Sequence, residues 1–229
     1  MTTVSYMRQN RILDPNVAAK MTVSIYGCGT VGSNVAVQLA KAGFGNFKLY
    51  DMDAVEAHNI PSQDFTIDDI GEPKVNAVKK RIHEVSSIAN VSVSNVELQG
   101  GEPCTTEIAV LAVDSIELRK KLYELSIRIN PMVKAFMDFR MGGHLLQAWF
   151  VQNNNAEEKA NYEKTFFEAS EAVDLGCGSR TFAPVGALSG AVATQLLTKY
   201  VNQPWEEEED KPPFYTYLDM AAFELQVAG

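Results

Sequence analysis

The hexapeptide GCGTVG, residues 27 to 32, follows the apolar run MTVSIY and precedes a stretch with helical spacing. That order specifies a strand, a tight turn and a helix. Three glycines spaced G-x-G-x-x-G let the backbone turn sharply, approach a phosphate and pack a helix closely on a strand. The chemistry of such a loop is generic. It does not distinguish a nicotinamide or flavin cofactor from another nucleotide, and glycine-rich turns also occur without any ligand.

The chain continues in alternation. TVSIY (22–26) reads as a buried strand. Val31, Val35, Leu39 and Ala42 recur at helical spacing, and Gly43 closes that helix. FKLYD (47–51) is a second strand, followed by a loop from Met52 to Pro73. Val75, Val78, Ile82 and Val85 mark a second helix; VSVSNV (91–96) and IAVLAVD (108–114) are further strands. Ile116 to Ile129 reads as a helix and VKAFMDF (133–139) as a fifth strand. HLLQAWFVQ (144–152) follows Gly142-Gly143 and is expected to turn back antiparallel. A helix near Tyr162–Ala172 is expected within the polar region 153–180, then a small-residue helix over APVGALSGAVATQLLTKYV. EEEED (206–210) reads as a solvated turn and FYTYLDMAAFELQVA as one or two closing strands.

Strands alternating with helices imply an α/β, Rossmann-like, mostly parallel sheet with helices on both faces. The C-terminal segments add an antiparallel extension. No linker or repeat divides the chain, so residues 1–229 are expected to form one domain, with an N-terminal arm (1–20) and a crossover region (153–180).

Charge and cysteine usage narrow the function. The 29 acidic residues outnumber the 20 Lys and Arg, for a formal net charge of -9. Phosphate neutralisation on nucleic acid needs a basic surface, so no nucleic-acid partner is expected. Cys28, Cys104 and Cys177 form no C-x-x-C pair, and no zinc is expected. No apolar run approaches the ~20 residues that cross a bilayer. The start, MTTVSYMRQNRILD, lacks the apolar core of a signal peptide. A soluble, cytoplasmic protein is the expectation, with no membrane partner.

Asp51 lies where a dinucleotide fold carries a ribose-binding acid, and it could equally be a surface or capping acid. The following segment, DMDAVEAHNIPSQDFTIDDIGEPKVNAVKKRI (51–82), carries D-x-D-x-V, an Asn, a Gln and I-G-x-P-K. It resembles the ubiquitin-activating superfamily, including its ThiF and MoeB types, which carry D-x-D-x-V…N-L-x-R-Q…V-G-x-P-K after the same glycine loop. Further stretches match in order. They are MRQNRIL (7–13), AVLAVDSIELRKKL (109–122) with its D-x-x-x-x-R, FRMGGHLLQAWF (139–150) with its R-M-x-G, and CGSRTFAPVGALSGAVATQLLTK (177–199).

The resemblance implies binding of ATP with Mg²⁺ and adenylation of the C-terminal carboxylate of a ubiquitin-like or sulfur-carrier protein or peptide. It implies that Gly27, Gly29 and Gly32 form the nucleotide loop and that Asp51 takes the ribose hydroxyls. Asn59 and Lys74 would face the phosphates, and Asp114 would hold Mg²⁺. Arg8, with Arg11 as the nearby substitute, would reach the ATP of a partner subunit. That implies a homodimer, with a heterodimer as the variant arrangement. Cys177 would attack the acyl-adenylate or form a persulfide adduct. Each has a plainer reading: Lys74 as a solvated first-turn lysine, Asp114 as a helix N-cap, Arg8 as an arm charge and Cys177 as an inert loop thiol. His58, His83 and His144 are scattered and have no assigned role.

One departure stands out. The family's N-x-x-R-Q becomes Asn59-Ile60-Pro61-Ser62-Gln63, and a serine cannot imitate a guanidinium fork. A catalytically weak or inactive scaffold of the same fold therefore remains open. So does a dinucleotide-binding oxidoreductase.

Overall fold

The computed structural model describes residues 5–166 and 182–228. Eight strands form one sheet: β1 (Thr22–Tyr26), β2 (Asn46–Tyr50), β3 (Asn90–Ser94), β4 (Ile108–Leu111), β5 (Ala135–Gly142), β6 (Leu145–Gln152), β7 (Tyr215–Asp219) and β8 (Glu224–Ala228). Their order is β3-β2-β1-β4-β5-β6-β7-β8. The pairings among β1 to β5 are parallel, and those from β5 through β8 are antiparallel. The α/β fold and the antiparallel extension are therefore as expected.

The helices are α1 (Pro15–Ala18), α2 (Thr30–Ala42), α3 (Lys74–Val85), α4 (Ile116–Leu122), α5 (Ala156–Glu163) and α6 (Ala183–Val201). Alternation in β1 sorts them. Val23 and Ile25 join the core under α2, α3 and α6, whereas Tyr26 joins the core under α4 and α5. Helix α2 forms because Val31, Val35 and Leu39 share one stripe; full burial of each contributes about 1.5–3 kcal/mol. It stops at Gly43, whose φ of 107° is left-handed and whose N–H bonds the Ala40 carbonyl.

Helix α6 lies against α2 at backbone distance. A Cβ at Gly186 would sit 2.8 Å from the Ser62 carbonyl oxygen, and one at Gly190 would sit 2.7 Å from the Asn34 carbonyl oxygen. The small residues of α6 are thus required by close approach.

Some boundaries differ from the sequence reading. β4 stops at Leu111 instead of Asp114, because the buried Arg119 guanidinium takes the carbonyls of Leu111 and Val113 that a ladder would otherwise use. β5 starts at Ala135 and runs to Gly142 because it is paired along its full length with β6. The helix from Ile116 shifts to π geometry over Tyr123–Ile127. Helix α5 begins at Ala156, earlier than expected. Asn155 caps it, accepting the N–H groups of Glu157 and Glu158, and Asn155 Nδ2 donates back to Glu158 Oε1. The expected continuation to Ala172 lies largely outside the described residues.

Candidate functional site

The order of the sheet reverses between β1 and β4, and the carboxyl ends of strands at such a point form a crevice. The glycine loop opens there, and its three glycines have different reasons. Gly27 has φ 94°, and a Cβ on it would lie 2.6 Å from the Ala112 carbonyl oxygen. A Cβ on Gly32 would lie 1.8 Å from the Gly27 carbonyl oxygen, so only glycine lets α2 start against the strand. Gly29 is the reverse case: its Cβ would meet nothing within 4 Å. Among the described residues it faces open space at the N-cap of α2, and no side chain of theirs caps the helix. The Gly29 carbonyl is occupied by Ser33, through its N–H at 3.0 Å and its hydroxyl at 2.7 Å. Uncapped first-turn amides at the positive end of a thirteen-residue helix are a ready anion cradle.

Asp51 follows β2 directly. Its Oδ2 accepts the Cys28 N–H at 2.7 Å and its Oδ1 accepts the Asp53 N–H at 2.8 Å. Burial pushes its carboxyl pKa above the ordinary value, against the opposing pull of these N–H groups and of Lys74. Lys74 is the first residue of α3, with its backbone N–H on the Asp53 carbonyl at 2.8 Å. Its side chain is only 10% exposed, and Nζ rests on Asp53 Oδ2 at 2.7 Å. Its charge is felt at both Asp51 and Cys28. Asp51, Lys74 and the loop therefore share one electrostatic neighbourhood, and Lys74 is not a solvated surface lysine.

Asn59 is buried at the end of a short 3-10 turn, where its Oδ1 accepts the Glu56 N–H at 2.9 Å. Ser62, at the family's arginine position, is buried beside the first residue of α2, with its hydroxyl 3.4 Å from that of Thr30. Its carbonyl accepts from Asn34 Nδ2 at 3.3 Å. The neighbouring Gln63 Oε1 is buried without a donor among the described residues.

Asp114 is exposed in the turn after β4. It is not the cap of α4, because Ser115 holds that role with its hydroxyl accepting the Leu118 N–H at 3.2 Å. Sequence reasoning missed what fixes this turn. The guanidinium of Arg119 is buried, and it joins the Leu111 and Val113 carbonyls to the carboxylate of Asp138. Burial pulls its pKa down to about 10, so it remains a cation at neutral pH. Asp138 also accepts the Tyr162 hydroxyl at 2.9 Å and Arg140 Nε at 3.0 Å. Arg140 reaches Thr165 and lies 4.4 Å from the centre of the Trp149 ring. The D-x-x-x-x-R spacing pointed at Arg119, but nothing local pointed at its partner on β5.

The remaining expected residues lie apart. The arm packs on the far end of α2, with Tyr6 against Gly43 and Gln9 Nε2 on the Ala42 carbonyl at 2.7 Å. Thirteen residues of helix separate this point from the glycine loop, about 20 Å. Arg8 is exposed there and does not serve its own chain's loop. Cys177 lies outside the described residues. Cys28 is buried, and burial with the Asp51 charge pushes its thiol pKa up, which makes it a packing residue. Among the described residues no cluster of three His, Cys, Asp or Glu side chains is placed to hold a metal, and no helix is long and apolar enough to cross a membrane.

The ThiF family model matches residues 14–228. The chain belongs to the ThiF family. It is 31% identical over 147 residues to the NEDD8-activating enzyme E1 catalytic subunit of Arabidopsis thaliana, covering 58% of this chain and 31% of that protein. It is 32% identical over 80 residues to the sulfur carrier protein adenylyltransferase of Thermus thermophilus, covering 34% of this chain and 30% of that one. These matches span no more than about a third of either relative's length. Among solved structures, E. coli MccB with ATP superposes with a TM-score of 0.72 at 19% identity, covering 96% of this chain and 67% of that chain. At that identity the likeness is one of fold. For this ThiF-family chain it accords with the strand order and the glycine loop already described.

Proposed function

We propose that the chain uses ATP to adenylate the C-terminal carboxylate of a ubiquitin-like or sulfur-carrier protein or peptide. A carboxylate is a poor electrophile because its leaving group would be oxide. Its oxygen attacks the α-phosphorus, the bond to the β-phosphate breaks, and pyrophosphate leaves. The acyl-adenylate then carries AMP as a good leaving group for a later thiol or amine. Catalysis of this step needs alignment and charge neutralisation more than covalent help.

The single observation that carries the reading is the uncapped start of α2, open at Gly29 and flanked by Asp51 and Lys74. In this reading the first-turn amides cradle phosphate, Asp51 takes the ribose hydroxyls, and Asn59 and Lys74 face the phosphates. Asp114 would hold Mg²⁺ on its exposed turn, and the ion would supply charge neutralisation on the triphosphate. Arg8 acts on the ATP of a second subunit, which the 13-residue length of α2 supports by keeping it from its own loop. The assembly is then a homodimer, or a heterodimer with a related chain, and cytoplasmic. Cys177 is the candidate for a covalent carrier adduct.

Ser62 favours a second reading, a scaffold that binds nucleotide without efficient chemistry, because the Lys74 charge is already balanced by Asp53. A dinucleotide oxidoreductase has no use for Lys74 or Asp114. Exchange of pyrophosphate into ATP, measured with Mg²⁺ and candidate carrier proteins, separates the readings. Exchange supports the adenylating enzyme. ATP binding without exchange supports the scaffold. Tight NAD binding with no ATP binding sinks both.

A further inference from the structure

A cavity of about 350 Å³ opens at the end of the sheet opposite the glycine loop. It lies where β5 starts and β6 ends, and it is closed by the last turn of α6. Three cations from different segments line it: Arg128, Lys134 and Lys159. Among the described residues no carboxylate does, in a chain whose acids outnumber its bases by nine.

The partners of these cations are informative. Arg128 Nε is paired with Glu163 at 2.7 Å. Lys134 Nζ rests on the Pro131 carbonyl at 2.9 Å and Lys159 Nζ on the Arg128 carbonyl at 3.4 Å. Neither lysine has an ion pair among the described residues. One nearby acid faces the cluster: Glu163, paired with Arg128, also feels the Lys159 charge. Two others are turned elsewhere. Glu158 binds the Gln152 N–H and the amide of Asn155, and Glu107 faces Thr22. Gathering like charges costs free energy that a bound anion returns.

The wall is also preorganised. Asn153 is 9% exposed, and its Nδ2 donates to the carbonyls of Ile127, Asn130 and Val133, drawing the lining loop together. Asn130 Nδ2 ties the same loop to the Cys104 and Ser126 carbonyls. Asn153 Oδ1 is left buried with no donor among the described residues. Two carboxamides are thus spent on holding open a polar, cationic concavity. Its volume is in the range of small-molecule sites, about 300–1,000 Å³.

We propose that this cavity is a second binding site, separate from the glycine loop, that takes a small phosphorylated molecule. Cations lining it from three segments, two of them lysines with no ion pair among the described residues, suit a dianion whose oxygens point several ways better than a planar carboxylate. The Tyr200 ring and the amide of Gln203 bound the remaining space, beside the phosphoryl group.

The test uses pyrophosphate as the probe and calorimetry as the readout. The Lys74→Ala chain, disabled at the glycine loop, should still show one saturable pyrophosphate site. Adding Lys134→Gln and Lys159→Gln should weaken that site at least about tenfold, while adding the distant Lys41→Gln should leave it unchanged. Both lining lysines are solvent-accessible, so the fold should survive, as circular dichroism would verify. Absence of a saturable site in Lys74→Ala, or an affinity unmoved by the paired lysine changes, overturns the proposal. Equal affinity for glutarate overturns the phosphoryl assignment.

Discussion

The backbone N–H of Cys28 donates to Asp51 Oδ2 at 2.7 Å, tying the middle of the glycine loop to the end of the neighbouring strand. The acid thus holds the loop in shape whether or not a ribose is present. Burial raises its pKa, so the folded state binds a proton more tightly at this group than the unfolded chain does. Its contribution to stability is full below the unfolded carboxyl pKa and is lost as pH rises through the elevated folded value. The unfolding free energy of the native chain relative to Asp51→Asn, measured against pH, should therefore fall as pH climbs through that window. A relative stability that rises with pH instead would mean that the N–H donors and Lys74 outweigh burial.

The glycines separate fold from ligand. Gly32→Ala drives a Cβ to 1.8 Å from a backbone oxygen and should destabilise by at least about 2 kcal/mol in urea unfolding. Gly29→Ala enters open space, so its stability should change by no more than about 0.5 kcal/mol. If the cradle holds phosphate, the same methyl should weaken ATP binding by calorimetry. Unchanged affinity in Gly29→Ala would remove the cradle from the proposed site.

Removing the guanidinium at position 119 leaves the Asp138 carboxylate buried with one of its two cations gone. Arg119→Gln should cost about 3–5 kcal/mol of stability, read from urea unfolding. A cost below about 1 kcal/mol would mean that Arg140 and Tyr162 suffice.

The arm makes a prediction about assembly. Arg8→Ala chains and Lys74→Ala chains should each lose pyrophosphate exchange, and a mixture should recover part of it, since one composite site per mixed dimer is intact. A fully active monomer by ultracentrifugation would refute the exchange of arms.

What was legible in the sequence was whatever is written locally. The bounds of β1 and α6 match their strings because strand period, proline at the second helical position and small-residue spacing are short-range signals. Gly43 announced the end of α2 for the same reason. The capped start of α5 is also written locally, as Asn155 and Glu158, within a stretch whose polarity masks the helical period. The Arg119–Asp138 pair was not legible, because it joins a helix to a strand nineteen residues away and depends on which strands become neighbours. Ser62 was visible as a departure from a motif. Its burial between α2 and α6 was not, since that rests on a helix more than a hundred residues later.

The backbone approach of α6 to α2 also limits how this chain can drift. A side chain gained at Gly186 or Gly190 has no room unless the Ser62 turn or the Asn34 stretch of α2 retreats with it. A larger residue at either glycine therefore needs a matching shift on the α2 side. The residue at 62 is part of that lock. An arginine there would demand new space at the junction, because Ser62 is buried beside Thr30.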